Sequence, residues 1–251
     1  MSVWALADLH LSLSVPEKTM EVFGPCWKGY MDQIESNWKE RVAEKDLILL
    51  PGDISWANTI EEAQSDLIWI HQLPGTKVLL KGNHDHWWPS NKRLREKLPP
   101  SIHFIHNTVF NWNDISIGGS RLWDSSEYTF EQIIQMVETP PLSKKQGQDH
   151  CLEEERRRHI FERELIRLEL SLSQLSQTTR MRIAMTHYPP IGFELKESRA
   201  SKILERHGVD ICVFGHLHNL KTALPIFGKK NRVLYSLVSA DYLKFIPLKL
   251  V

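Results

Sequence analysis

Five short apolar runs, each closed by side chains able to bind a metal, constrain this chain more than any other feature of it. Val3 to Ala7 leads into Asp8-Leu9-His10, Asp46 to Leu50 into Gly52-Asp53, and Lys77 to Leu80 into Gly82-Asn83-His84-Asp85. Arg182 to Met185 is followed by His187, and Asp210 to Phe214 by Gly215-His216-Leu217-His218. Runs of this length, bounded by glycine and polar residues, read as strands buried on both faces. The stretches Tyr30 to Lys45, Ile60 to Leu73, Asn91 to Leu98 and Ser198 to His207 read as the helices between them. Such alternation predicts an α/β fold with a largely parallel sheet core. In an open α/β sheet the loops at the carboxyl ends of the strands gather around one crevice, so the five polar clusters are expected to converge.

A second group of strands is expected in Ile102 to Phe110, Asp114 to Gly118, Leu220 to Phe227 and Arg232 to Ser239, with a hairpin turn at the GKKN stretch between the last two. These make a second sheet, so the expected architecture is two mixed sheets packed as a sandwich and flanked by helices. Asp149 to Gln177 is highly charged, yet Phe161, Leu165, Leu168, Leu172 and Leu175 recur at spacings of four and three. That seam marks a long amphipathic helix docked on the protein's own sheet. The expectation is therefore one domain over 1–251 with a long helical insertion around 127–177. The LSKKQGQDH stretch before the helix is expected to be a mobile loop.

Composition narrows the functional classes. Lys plus Arg equals Asp plus Glu at 31 each, so no net field draws nucleic acid or anionic membrane to the chain. Three cysteines without a CxxC pair make no disulfide framework, which suits a reducing compartment. The amino terminus lacks a basic segment and extended apolar core, and no run of about 18 apolar residues occurs. The expectation is a cytoplasmic protein without a membrane span. No oligomeric state is encoded in any recognisable form.

Two strand-end aspartates, four histidines and one asparagine make a donor set suited to manganese, iron or zinc, without the thiolates of structural zinc. A carboxylate can bridge two cations, and a pair of cations can clamp both the attacking and the leaving oxygen of a phosphoryl centre. Gly52, Gly82 and Gly215 allow backbone to pass close to such a site.

DLH, GD, GNHD, a lone histidine after a strand, and GHLH occur here in an order and spacing that resembles the calcineurin-like metallophosphoesterases. The motifs stretch from Asp8 to His218. The resemblance implies that Asp8, His10 and His218 hold one divalent metal, that Asn83, His187 and His216 hold a second, and that Asp53 bridges them. It implies manganese first among the metals, attack on phosphorus by a hydroxide shared between the ions, His84 as the group that steadies the transition-state charge or protonates the leaving oxygen, and Asp85 as the carboxylate that orients His84. Asp53 is followed by Ile54-Ser55-Trp56-Ala57, so the GDxxDRG continuation of the family's protein phosphatases is absent. The expected reaction is hydrolysis of a phosphoester or pyrophosphate bond in a phosphodiester or other small nucleotide-type substrate. Phosphomonoesterase and nuclease are the alternatives on the same fold, and a non-catalytic scaffold the alternative in another class.

Arg121, in the loop after a strand, can fork onto phosphate or serve a structural salt bridge. Trp56, Trp87, Trp88 and Trp123 lie near the expected site loops and can either stack on substrate or pack. The tail KFIPLKLV reads first as an edge strand, with an oligomer contact or a membrane-touching segment as the alternatives.

Overall fold

Alternate residues of the central strands face different layers, which is why their sequences are apolar throughout. In the strand Leu47–Pro51 every residue is buried. Ile48 and Leu50 pack with Trp38, Leu67 and Leu94 beneath helices. Leu47 and Leu49 pack with Ile183, Met185 and Val213 from another sheet. With the side-chain period of two, a strand covered on both sides has no polar position to offer.

The computed structural model describes residues 1–135, 148–221 and 226–251. Its elements in chain order are β1 (Val3–Ala5), α1 (Tyr30–Arg41), β2 (Leu47–Pro51), α2 (Gln64–Gln72), β3 (Thr76–Leu80), α3 (Asn91–Lys97), β4 (Ile102–Ile105), β5 (Phe110–Trp112), β6 (Ile115–Ser120), α4 (Gln148–Leu172), β7 (Met181–Thr186), α5 (Arg199–Arg206), β8 (Ile211–Phe214), β9 (Lys229–Lys230), β10 (Val233–Leu237) and β11 (Leu248–Lys249), with short 3-10 turns among them. One sheet runs β11-β1-β2-β3-β4 and the other β5-β6-β7-β8-β10-β9. Both are mixed: their inner pairs are parallel, while β11, β5 and β9 pair antiparallel at edges. Helices α1, α2 and α3 cover the outer face of the first sheet, and α4 and α5 that of the second.

The sandwich is as expected, but the allocation of strands is corrected. Ile102–Ile105 joins the first sheet beside β3, whereas β7 and β8 belong to the second. The hairpin turn also moves. Lys229 and Lys230 are in strand and the bend is Asn231-Arg232, both with positive φ, a two-residue loop that matches strand twist. Of the expected strand Leu220 to Phe227, residues 222–225 lie outside the described residues. The apolar tail does form an edge strand, with Leu248 opposite Ala5.

Helix α4 puts Phe161, Leu165, Leu168 and Leu172 into one apolar cluster with Ala184, Cys212 and Phe214 of the second sheet, so its seam docks internally. It occupies only part of the expected insertion, since 127–135 is a turn-rich loop. Residues 142–147 of the expected mobile loop lie outside the described residues, and 148–150 already belong to α4. At α5, Ser198 and Ser201 cap each other reciprocally, which starts that helix sharply beneath the β7 loop. Among the described residues no helix is long and apolar enough to cross a membrane.

Candidate metal centre

The strand-end clusters converge where the two sheets meet. Ala7 N–H donates to the Val238 carbonyl at 2.7 Å, tying the end of β1 to the end of β10. Asp8 N–H donates to Gly52 O and His10 N–H to Asp53 O, both at 3.0 Å, while Gly215 N–H donates to His187 O at 3.1 Å. These bonds stack the loops into one crevice. Asp8, His10, Asp53 and His216 all have positive φ, a conformation that costs L-residues energy and gathers at functional sites. A Cβ at Gly82 would collide with Asp53, and one at Gly52, whose φ is +100°, with the His187 ring.

Asp8, His10, Asp53 and His187 are buried. Asp8, His10 and His218 form one group of closely spaced ligand atoms, and Asp8, Asp53 and His187 another. Asp53 Oδ2 lies between them, 3.7 Å from His10 Nε2 and 3.4 Å from His187 Nε2. His10 Nε2 and His218 Nε2 are 3.4 Å apart. Asn83 Oδ1 stands 2.7 Å from His187 Nε2 and 3.1 Å from His216 Nδ1, so these three side chains also face one point. All seven residues expected as ligands are thus brought together.

Two imidazoles are aimed from behind. His187 Nδ1 bonds the Pro51 carbonyl at 3.0 Å, and His218 Nδ1 bonds Asp241 Oδ1 at 2.8 Å, so each presents Nε2 to the crevice. Backing of this kind fixes tautomer and ring direction in metal-binding histidines. Asp241 is absent from the sequence-based set, although it lies just past the end of β10 and the strand-end rule that found the others applies to it. Trp27 and Tyr30 are missed too. Trp27 lies edge-on to His218, and Tyr30 Oη–H donates to the His10 carbonyl at 2.7 Å.

The electrostatics describe a cluster short of positive charge. Burial alone would neutralise His187, but the neighbouring Asp53 and Asp8 carboxylates lift it to about 9. Burial acts likewise on His218, and Asp241 and Asp8 raise it to about 9. Burial lifts Asp8 to about 6 against the pull of His218 and His187, and it lowers His10 to about 3 although Asp53 opposes. Asp53 is the exception, held well below the usual carboxylate range because His187 overrides its burial. Protonated histidines are therefore the counter-ions to two buried carboxylates. Carboxylate, imidazole and amide oxygen form a set that divalent cations accept in place of those protons.

Asp85 departs from expectation. Its carboxylate accepts backbone N–H groups from Asp53 (3.0 Å), Ile54 (2.8 Å), Ser55 (3.2 Å) and Gly82 (2.7 Å), and the Trp87 indole N–H at 2.9 Å. It braces two loops and makes no hydrogen bond to the His84 ring. His84 is instead tied through its backbone N–H to Asp53 Oδ1 at 2.8 Å, and its ring packs on Trp56 at 4.5 Å. Trp56 also stacks on His10 at 4.8 Å, whereas Trp87 and Trp88 are buried packing residues. Of the two settings expected for Arg121, the structure shows the ion pair. Its guanidinium lies 4.5 Å over the Trp123 ring and 3.7 Å from Glu164, at the wall of a cleft that reaches Asn83.

In sequence, residues 1–220 match the model of the calcineurin-like phosphoesterase family. Gene 66 protein of Mycobacterium phage D29 is 33% identical over 85 residues, which are 34% of this chain and 40% of that protein. Gene 66 protein of Mycobacterium phage L5 is 30% identical over 98 residues, 36% of this chain and 43% of that protein. The chain thus spans about two fifths of the length of the curated relatives it matches. In fold, the phosphopantetheinyl hydrolase of Mycobacterium tuberculosis superposes with a TM-score of 0.60 at 13% identity, over 100% of this chain and 95% of that one.

Proposed function

The chain belongs to the calcineurin-like phosphoesterase family, and from that premise we propose that it hydrolyses phosphoester or pyrophosphate bonds in a phosphodiester or nucleotide-type substrate. In this reading two divalent ions, manganese first among the candidates, are held by Asp8, His10 and His218 on one side and by Asn83, His187 and His216 on the other. The observation that carries it is the place of Asp53, whose Oδ2 faces His10 of the first set and His187 of the second. When bound, the ions supply Lewis-acid polarisation of the phosphoryl oxygens and neutralise charge that builds up on them.

The chain's own residues do the rest. His187 and His218 are kept in register by Pro51 and Asp241, so the ligand atoms need no reorganisation. His84 sits at the mouth, partly exposed, with burial holding its imidazole below the ordinary pKa while Asp53 opposes. A neutral ring there donates a hydrogen bond to the leaving oxygen and steadies its charge, and the imidazolium form gives up its proton to it. Trp56, packed against both the His84 and His10 rings, limits the freedom of each.

The test pairs metal content with turnover. Manganese-loaded protein is expected to carry two ions per chain and to cleave bis-p-nitrophenyl phosphate faster than p-nitrophenyl phosphate. His84→Ala should keep its metal while turnover falls about a hundredfold, the scale of general acid–base assistance, with a smaller loss on better leaving groups. Protein that never exceeds one ion per chain, or a His84→Ala variant that loses metal as His187→Ala does, would count against this assignment.

A further inference from the structure

Next to the crevice the charge balance reverses. Lys81 is the first residue after β3 and Arg121 the first after β6. The Arg121 carbonyl accepts N–H groups from His187 at 3.1 Å and Tyr188 at 2.9 Å, so this strand end is keyed directly to the candidate metal centre. Opposite, α4 contributes Arg163, Glu164 and Arg167. The Glu164 side chain is 2% exposed and is approached by Arg167 at 2.7 Å, Arg163 at 3.4 Å and Arg121 at 3.7 Å. Three guanidiniums against one carboxylate leave a surplus of two positive charges, and Lys81 adds a further cation that the Asp85 carboxylate behind it offsets. The whole chain has no net charge, so the surplus is local.

These side chains border a cavity of about 250 Å³ whose apolar floor is Leu80, Trp88 and Ile105. It adjoins a cleft of about 900 Å³ that shares Lys81, Arg121 and Arg163 and extends to Asn83 and His86. Acidic residues in that cleft do not cancel the surplus at the shared end. Glu153 pairs with Arg157 at 3.5 Å and Glu155 lies beside His159, both in the turns of α4 before Arg163, and Asp124 is exposed. An anion several oxygens wide would satisfy what the lone carboxylate leaves over, because planar guanidiniums bind phosphate through paired N–H groups.

We propose that this cavity is a subsite for a second phosphate group, so that the substrate is a small phosphoester bearing a further phosphate away from the scissile phosphorus. The proposal rests on the phosphoesterase reading above and narrows its substrate class. The apolar floor suits a terminal group over a polynucleotide that must pass through.

The test has two arms, both on the full chain. Metal-depleted protein is titrated calorimetrically with inorganic pyrophosphate, which is expected to bind. Affinity should fall at least about tenfold in Arg163→Gln and in Arg167→Gln, with Arg163→Lys between, since it keeps the charge and loses the fork. Both side chains are partly exposed, at 54% and 33%, and melting curves check that the variants fold. No binding, or equal binding by all variants, overturns the subsite. Tighter capture of a single-stranded oligonucleotide, lost in the same variants, overturns the small substrate in favour of a nucleic-acid backbone. Separately, manganese-loaded wild-type protein is assayed on bis-p-nitrophenyl phosphate. Absence of turnover there overturns the phosphoesterase reading, whatever the first arm gives.

Discussion

Around Asp8 and Asp53 two buried carboxylates meet imidazoles and an amide, whereas around Glu164 one buried carboxylate meets three guanidiniums. The two clusters border the same crevice, but the first has only protons on His187 and His218 to set against its carboxylates, whereas the second has cations in excess. Both cost desolvation energy that internal pairing only partly offsets, and a protein gains nothing in stability from leaving either unbalanced. The difference teaches that the first is shaped for cations and the second for anions. On the reading proposed above, a phosphoester that carries a second phosphate engages both.

The largest test of this contrast removes the charge shared by both ligand sets. Asp53→Asn is expected to reduce bound manganese below one ion per chain and turnover by on the order of a thousandfold, read by elemental analysis and steady-state kinetics. Retention of two ions would erase the distinction between the clusters. A smaller effect is expected one step further out. Asp241→Asn keeps a hydrogen-bond acceptor near His218 but removes its charge, and metal affinity should fall roughly tenfold to a hundredfold, measured by competition with a chelating dye. The loss should be confined to one of two resolvable binding steps, since His187 is backed by Pro51 instead.

The smallest effect concerns a buried cation outside both clusters. Lys77 is 1% exposed and caps the end of α2, donating to the His71 carbonyl at 3.3 Å, to the Leu73 carbonyl and to Ser101 Oγ at 3.4 Å. Burial holds its pKa at about 8, below its ordinary 10.5. Between those values the unfolded chain binds more protons than the folded one, so stability should rise with pH across that window, by at most about 1.4 kcal/mol per pH unit. Lys77→Met should flatten this slope in urea titrations from pH 8 to 10. An unchanged slope would show that its three acceptors already hold it charged.

Much of the site could be read from sequence because the strand-end rule works one loop at a time. Each ligand is within a few residues of a fully apolar run, and the rule extends to Asp241 beyond β10. What could not be read depends on distant partners. Parallel strands inside a two-sheet sandwich carry the same pattern in either sheet, so β4, β7 and β8 could not be allocated without their pairing. Helix limits were overrun for a related reason. Ile60 and Ala63 are as buried as Leu67 and Ile70 of α2, but they lie in the turns before it, and apolar spacing does not distinguish the two. The resemblance assigns Asp85 to His84, yet its partners are four backbone N–H groups and the Trp87 indole, which no motif encodes.

That carboxylate also has a mechanical meaning. By accepting from Asp53, Ile54 and Ser55 on one loop and from Gly82 and Trp87 on the other, it works as a pin through two hinges. The turn carrying Asn83 cannot swing without dragging the backbone of Asp53 with it. The two positions therefore move as one rigid member, and the spacing between them is set by a residue whose own oxygens are turned away from the crevice and toward the chain.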